Sequence, residues 1–284
     1  MDDITHEERH PSHTGLTSEP SSPPYARSPL AALSRRDAVL ILISIALITA
    51  LAWLYLIHLD RQMASSMAEN QMMAAMGMPM EQPWTVADLL FTFAMWAVMM
   101  LGMMGPSAAP MILLFASAQS RSGKRNAAVA AGVFGLGYAF VWTAFSAGAA
   151  LAQWGLHQAA LLSPAMAVLS PRIGGAVLIA AGLYQMTPWK SACLTHCRSP
   201  LSFLMEHWQE GRWGAFGIGA HHGAYCLGCC WALMIVLFVV GVMNLVWVAA
   251  LAAFVLLEKA GPYGTAVARV AGAALIVYGV VMMA

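Results

Sequence analysis

Residues 38–57 read AVLILISIALITALAWLYLI, a run with no charged side chain and no proline or glycine. Roughly 20 apolar residues are what an α-helix needs to cross about 30 Å of hydrocarbon. The run decides the fold class, because in lipid every backbone N–H and C=O must be satisfied inside the segment, which a helix does. Further apolar runs occupy residues 88–118, 126–151, 173–187, 217–240, 245–258 and 264–283. The expected architecture is therefore all-α, a polytopic transmembrane helix bundle of about seven spans. Gly105-Pro106 inside the second run predicts a tilted or broken helix there.

Composition points the same way. The 284 residues are 60% hydrophobic and 10% charged, with a mean hydropathy of +0.68. A soluble domain carries roughly 25% charged residues, so this chain has too few to cover a water-facing surface, and the lipid bilayer is its expected partner. A net charge of +1 argues against nucleic acid as a partner. Five cysteines do not make a secreted disulfide scaffold, and an odd number cannot all pair internally. No Gly-rich nucleotide loop, Ser-His-Asp arrangement or carboxylate pair stands out, which argues against a hydrolase or kinase.

Charge in the connections sets an expected orientation. Arg9, Arg27, Arg35 and Arg36 precede the first run, and Arg121, Lys124 and Arg125 follow the second. Lys190, Arg198 and Arg212 follow the fourth, and Lys259 and Arg269 flank the last turn. Only Arg61 and Arg172 fall on the other side. The basic side is expected to be cytoplasmic, with the N-terminus inside and the C-terminus outside. Residues 1–37, rich in Pro, Ser and charge, read as a disordered cytoplasmic tail; His6, His10 and His13 lie in it. Residues 58–87 read as an outward loop and 188–216 as a cytoplasmic loop, with a short amphipathic helix expected over 200–213.

Three sulfur-rich stretches can carry chemistry. In the fifth run, His222, Cys226 and Cys229 (i, i+4, i+7) share one helical stripe with Cys230 beside it. Thiols and an imidazole on one face suit a soft or borderline ion, Cu(I) or Zn(II), although cysteine is also a common small core residue. In the cytoplasmic loop, Cys193, His196 and Cys197 are one ligand short of a tetrahedral site, which His207 or His221 would complete. In the second run, Met95, Met99 and Met103 repeat at i+4. Thioethers favour Cu(I), but methionine also packs any bundle. Met63, Met67, Met72, Met73, Met76, Met78 and Met80 crowd the outward segment, where burial explains methionine less easily. Glu258-Lys259 reads either as an interfacial pair snorkelling to water or as a proton or cation relay.

With these residues in view, the chain resembles a bacterial family of predicted metal-binding integral membrane proteins of unknown function. The resemblance rests on Met95-Trp96, Met103-Met104-Gly105-Pro106-Ser107 and Pro110. It also rests on His222-Gly223, Cys226-Leu227-Gly228-Cys229-Cys230-Trp231, Gly241-Val242-Met243-Asn244 and Glu258-Lys259. It covers residue 88 to the end and implies a polytopic inner-membrane protein with a metal site. The leading expectation is binding or translocation of a soft metal ion, copper(I) ahead of zinc. Two alternatives remain: a membrane thiol redox protein using its Cys pairs, and an accessory or scaffold subunit that binds no metal.

Overall fold

The computed structural model describes residues 33–76, 84–121, 127–162 and 170–284, and its architecture is all-helical. The tail histidines and the segments holding Met78, Met80, Lys124 and Arg125 lie outside the described residues. Among the described residues the helices are α1 (Arg35–Ala75), α2 (Val86–Arg121), α3 (Ala127–Gln158), α4 (Pro171–Gln185) and α5 (Pro188–Arg198). They continue as α6 (Pro200–Glu206), α7 (Gly211–Val240), α8 (Leu245–Ala260) and α9 (Gly264–Met283). Five of them, α1, α2, α3, α7 and α9, are long and apolar enough to cross a membrane.

Three features differ from the expected outline. First, α1 has 41 residues, about 60 Å at 1.5 Å per residue, so residues 58–75 are helix rather than loop. No glycine or proline interrupts that stretch before Gly77, and Ala, Met, Gln and Glu all favour helix. Second, residues 188–216 hold α5, α6 and the opening turns of α7. Thr187 caps α5 by accepting the Lys190 N–H at 3.3 Å, with Pro188 at the first helical position. The helix expected over 200–213 is α6 followed by the start of α7. Third, α2 continues unbroken through Gly105, Pro106 and Pro110. The hydroxyls of Tyr138, from α3, and Ser107 both donate to the Met104 carbonyl beside the first proline, at 3.2 and 2.8 Å, and tie this part of the helix to its neighbour.

Two glycine-lined crossings hold the bundle. Where α3 meets α7, a Cβ on Gly137 would overlap the Phe216 carbonyl, and one on Gly219 would overlap the Phe134 carbonyl. Where α4 meets α9, a Cβ on Gly175 would lie 2.6 Å from the Gly279 carbonyl, and one on Gly182 2.5 Å from that of Gly272. Small residues that permit such backbone contact are what drive helix association in an apolar solvent. The Arg198 guanidinium fastens α5 to the end of α8, donating to the carbonyls of Glu258 at 3.1 Å and Gly261 at 2.8 Å. At the opposite end α7 stops at Gly241, whose φ of 95° suits glycine, and Asn244 Oδ1 caps α8 by accepting the Trp247 N–H.

Gly182→Leu and Gly219→Leu are expected to destabilise the protein by at least about 1–3 kcal/mol each, the usual range for overpacking. Gly135→Leu, with open space around its Cβ position, is expected to leave it within about 0.5 kcal/mol of the parent. Thermal unfolding in one detergent, read by circular dichroism, compares the three.

Candidate thiol and metal centre

The cysteines of α7 stand on one turn. Cys226, Cys229 and Cys230 are all buried, and all five cysteines of the chain are free. Cys226 sits at the junction of three other helices. Its Sγ lies 3.0 Å from the Tyr138 hydroxyl of α3 and accepts from the Lys259 ammonium of α8 at 2.8 Å. The same ammonium donates to Ser107 Oγ of α2 at 3.1 Å. An ammonium and a hydroxyl thus meet at one sulfur inside the bundle, and charge-assisted contacts of this type are the strong ones.

α5 brings the other two thiols to the same place. Cys197 faces Cys229 across the α5–α7 contact. Cys193 lies against α7 at Gly228, where a Cβ would come within 2.9 Å of its Sγ. The nearby Cys229 thiol, followed by burial, pushes the Cys197 thiol well above its ordinary pKa, and burial raises that of Cys193. The arrangement thus joins both cysteine stretches of the chain.

The histidines are placed differently. His222 is buried among the rings of Phe134, Tyr138 and Phe203, and its Nδ1 has no hydrogen-bond partner. His196 stacks flat on Tyr225, with ring centroids 4.4 Å apart and its Nδ1 2.9 Å from the Ala192 carbonyl of its own helix. His207 and His221 pack against each other at 5.3 Å instead of completing a site with Cys193 and Cys197. Met95, Met99 and Met103 are all buried on α2.

The sulfur and imidazole donors are the types a soft cation selects. Yet among the described residues no three His, Cys, Asp or Glu side chains close on a common point to hold a metal ion. The reason is local. Cys229 and Cys230 each turn their thiol back onto the Cys226 carbonyl, at 3.1 and 2.9 Å, a bond to their own helix that competes with any ligand. What the arrangement brings together is five thiols on two facing helices, without a closed set of ligands.

Glu258 and Lys259 do not snorkel. Glu258 forms an ion pair with Lys190 of α5 at 2.6 Å, both side chains 1% exposed, and Lys190 also donates to Gln185 at the end of α4. Lys259 turns to the opposite face and reaches Cys226. Tyr138 and Lys259 thus belong to the centre, although the sequence did not single out Tyr138 and read Lys259 only as half of an interfacial pair or relay with Glu258. A lysine directly after an apolar run signals a helix end, and only the packing reveals that its ammonium points inward.

The model of the PpoB2 copper chaperone family matches residues 93–282. The match covers more than half of the chain, and the chain belongs to that family. No curated protein and no solved structure matches it. The matched region contains every cysteine, His222, Met95, Met99, Met103, Tyr138 and Lys259; it excludes α1.

Lys190→Met is expected to destabilise the protein by about 3–5 kcal/mol, because it strands the Glu258 carboxylate in the interior. The double variant Lys190→Met with Glu258→Leu should recover most of that loss. Unfolding midpoints of the two variants and the parent, taken together, test whether the pair acts as one unit.

Proposed function

We propose that this chain is a multi-pass protein of the bacterial inner membrane that takes a cuprous ion as cargo and passes it along sulfur ligands. Membership in a copper chaperone family supports copper handling, and five apolar helices support the membrane. α4 and α8 are short, at 15 and 16 residues, and pack among the longer helices to complete a bundle of seven spans. The basic residues clustered at the α5–α6 end argue for that end being cytoplasmic, with the Met-rich part of α1 outward.

The observation that carries the proposal is the meeting of Cys193 and Cys197 of α5 with Cys226, Cys229 and Cys230 of α7. Two sulfur-bearing stretches far apart in sequence share one locus, beneath the buried thioethers of Met95, Met99 and Met103. In this reading His222, Cys226, Cys229 and Cys230 hold the ion inside the bundle. Cys193 and Cys197 receive it at the cytoplasmic end, where His196 joins only by leaving its stack on Tyr225. Lys259 supplies positive charge beside Cys226 and is displaced when an ion takes that sulfur. Thiolate and thioether donors favour copper(I) over zinc, for which a four-ligand cage is the usual structural site.

A second reading, thiol redox exchange, has one observation in its favour, the facing thiols of Cys197 and Cys229. Elemental mass spectrometry of the purified, reduced protein separates the readings. The Cys226→Ser/Cys229→Ser/Cys230→Ser variant is expected to carry about one equivalent less copper than the parent. A folded, reduced parent that carries no copper after incubation with Cu(I), yet forms a Cys197–Cys229 disulfide on mild oxidation, would replace metal handling with redox exchange. Copper retained unchanged in the triple variant would sink the thiol assignment.

A further inference from the structure

At the end of the bundle away from the thiols, a cavity of about 160 Å³ opens between α1, α2 and the turn joining α7 to α8. Three of the side chains around it are thioethers, Met63 of α1, Met95 of α2 and Met243 of the turn, with Tyr55, Phe91 and Gln153 among the others. A second cavity of about 330 Å³ adjoins it, sharing Met63 and Met243 and adding Asp60 and Asn244. At about 30 Å³ per water, the two have room for an ion together with several waters.

Met95 belongs to the buried core and Met243 packs against it, yet together with Met63 both also border space that is left open, whereas a methionine that only packs fills its gap. The three also come from three elements separated in sequence, so helical periodicity alone does not bring them together. The turn that presents Met243 is fixed at both ends, by Gly241 in its left-handed conformation and by the Asn244 cap on α8. The Asp60 carboxylate at the wider cavity favours the approach of a cation, and Arg61 beside it is exposed. Farther along α1, Met72 and Met76 are 66% and 56% exposed, an unusual place for a side chain whose common role is burial. In the other direction Met99 and Met103 continue from Met95 at one-turn intervals.

We propose that Met63, Met95 and Met243 form a thioether site for a soft monovalent cation, distinct from the thiols and outward of them. As the point of capture for copper(I), the site rests on the copper reading above; as a site for any soft cation, it does not. Neutral thioethers suit this position for two reasons. They give up no proton on binding, so their affinity does not depend on thiol ionisation, and they form no disulfides in an oxidising compartment.

Silver(I) is the probe, because it is soft, monovalent and stable to air. The full-length protein in detergent, with its methionine methyl groups carbon-13 labelled, is titrated with silver(I) and followed by calorimetry and by methyl resonances. The expected result is shifts in the Met63, Met95 and Met243 methyl signals. One equivalent should survive in the Cys226→Ser/Cys229→Ser/Cys230→Ser variant and keep its affinity from about pH 7.5 to 5.5, where thiol binding weakens. Met63→Leu, Met95→Leu and Met243→Leu, which nearly conserve volume, should each weaken that equivalent at least about tenfold. Together they should abolish it with the thermal midpoint unchanged, while Met283→Leu serves as the control.

If that equivalent is absent from the Cys→Ser variant, or persists in a folded triple Leu variant, the thioether site is overturned while the copper reading stands. If the thiols bind no copper but the methionine-dependent equivalent remains, the site stands and the transfer reading fails.

Discussion

The close crossing of α3 and α7 is the contact on which the centre depends. With Gly137 and Gly219 lacking side chains, the two backbones touch, and that contact sets the height of every residue above it. One residue beyond Gly137, Tyr138 is delivered to Cys226; three beyond Gly219, His222 enters the ring cage of Phe134, Tyr138 and Phe203. A bulkier pair would hold the helices apart by a side-chain layer, and the hydroxyl would no longer reach the sulfur. α7 is then the element on which α5, α4 and α8 are arranged, so both groups of cysteines inherit their positions from a contact that involves no sulfur.

Much of the architecture is legible in hydropathy alone, because a long apolar run satisfies its backbone within itself only as a helix. The helices are where the apolar runs are, and the discrepancies have local causes. α1 outruns its apolar stretch since residues 58–75 are polar but good helix formers, and hydropathy does not register propensity. α2 passes Pro106 and Pro110 and is tied to α3 beside the first of them, a contact that no single-strand rule can foresee. Helical periodicity shows that His222, Cys226 and Cys229 share a stripe, since that is a property of one helix. It is blind to the approach of Cys193 and Cys197, which is set by the packing of α5 on α7. Lys259 was legible as half of a Glu-Lys pair at a helix end, interfacial or relaying, but not as a partner of Cys226. His196, grouped with the cysteines by proximity in sequence, faces Tyr225 because flat ring contact outweighs nearness along the chain.

The polar groups of the interior are unevenly distributed. Lys190, Glu258, Lys259 and the Arg198 clamp all gather at the α5–α8 end. Each is held by a partner, the condition under which charge is tolerated inside a bundle. The stretch from Met95 to Met103 carries neutral sulfur and no charged side chain. The two ends thus use different materials: fixed charge fastens helices at one, and polarizable neutral atoms line α2 toward the other.

That division has an electrical consequence. A stretch without fixed charge offers a passing cation neither a trap nor a compensating anion, so the ion carries its own charge through the membrane field. On the proposed orientation, a monovalent ion descending from Met95 toward Cys226 moves down the potential of an energised cell. It gains up to about 2.3 kcal/mol for each 100 mV it falls through. Voltage alone would thus draw the cargo toward the thiols, and the first fixed charge it meets beside a sulfur is the Lys259 ammonium.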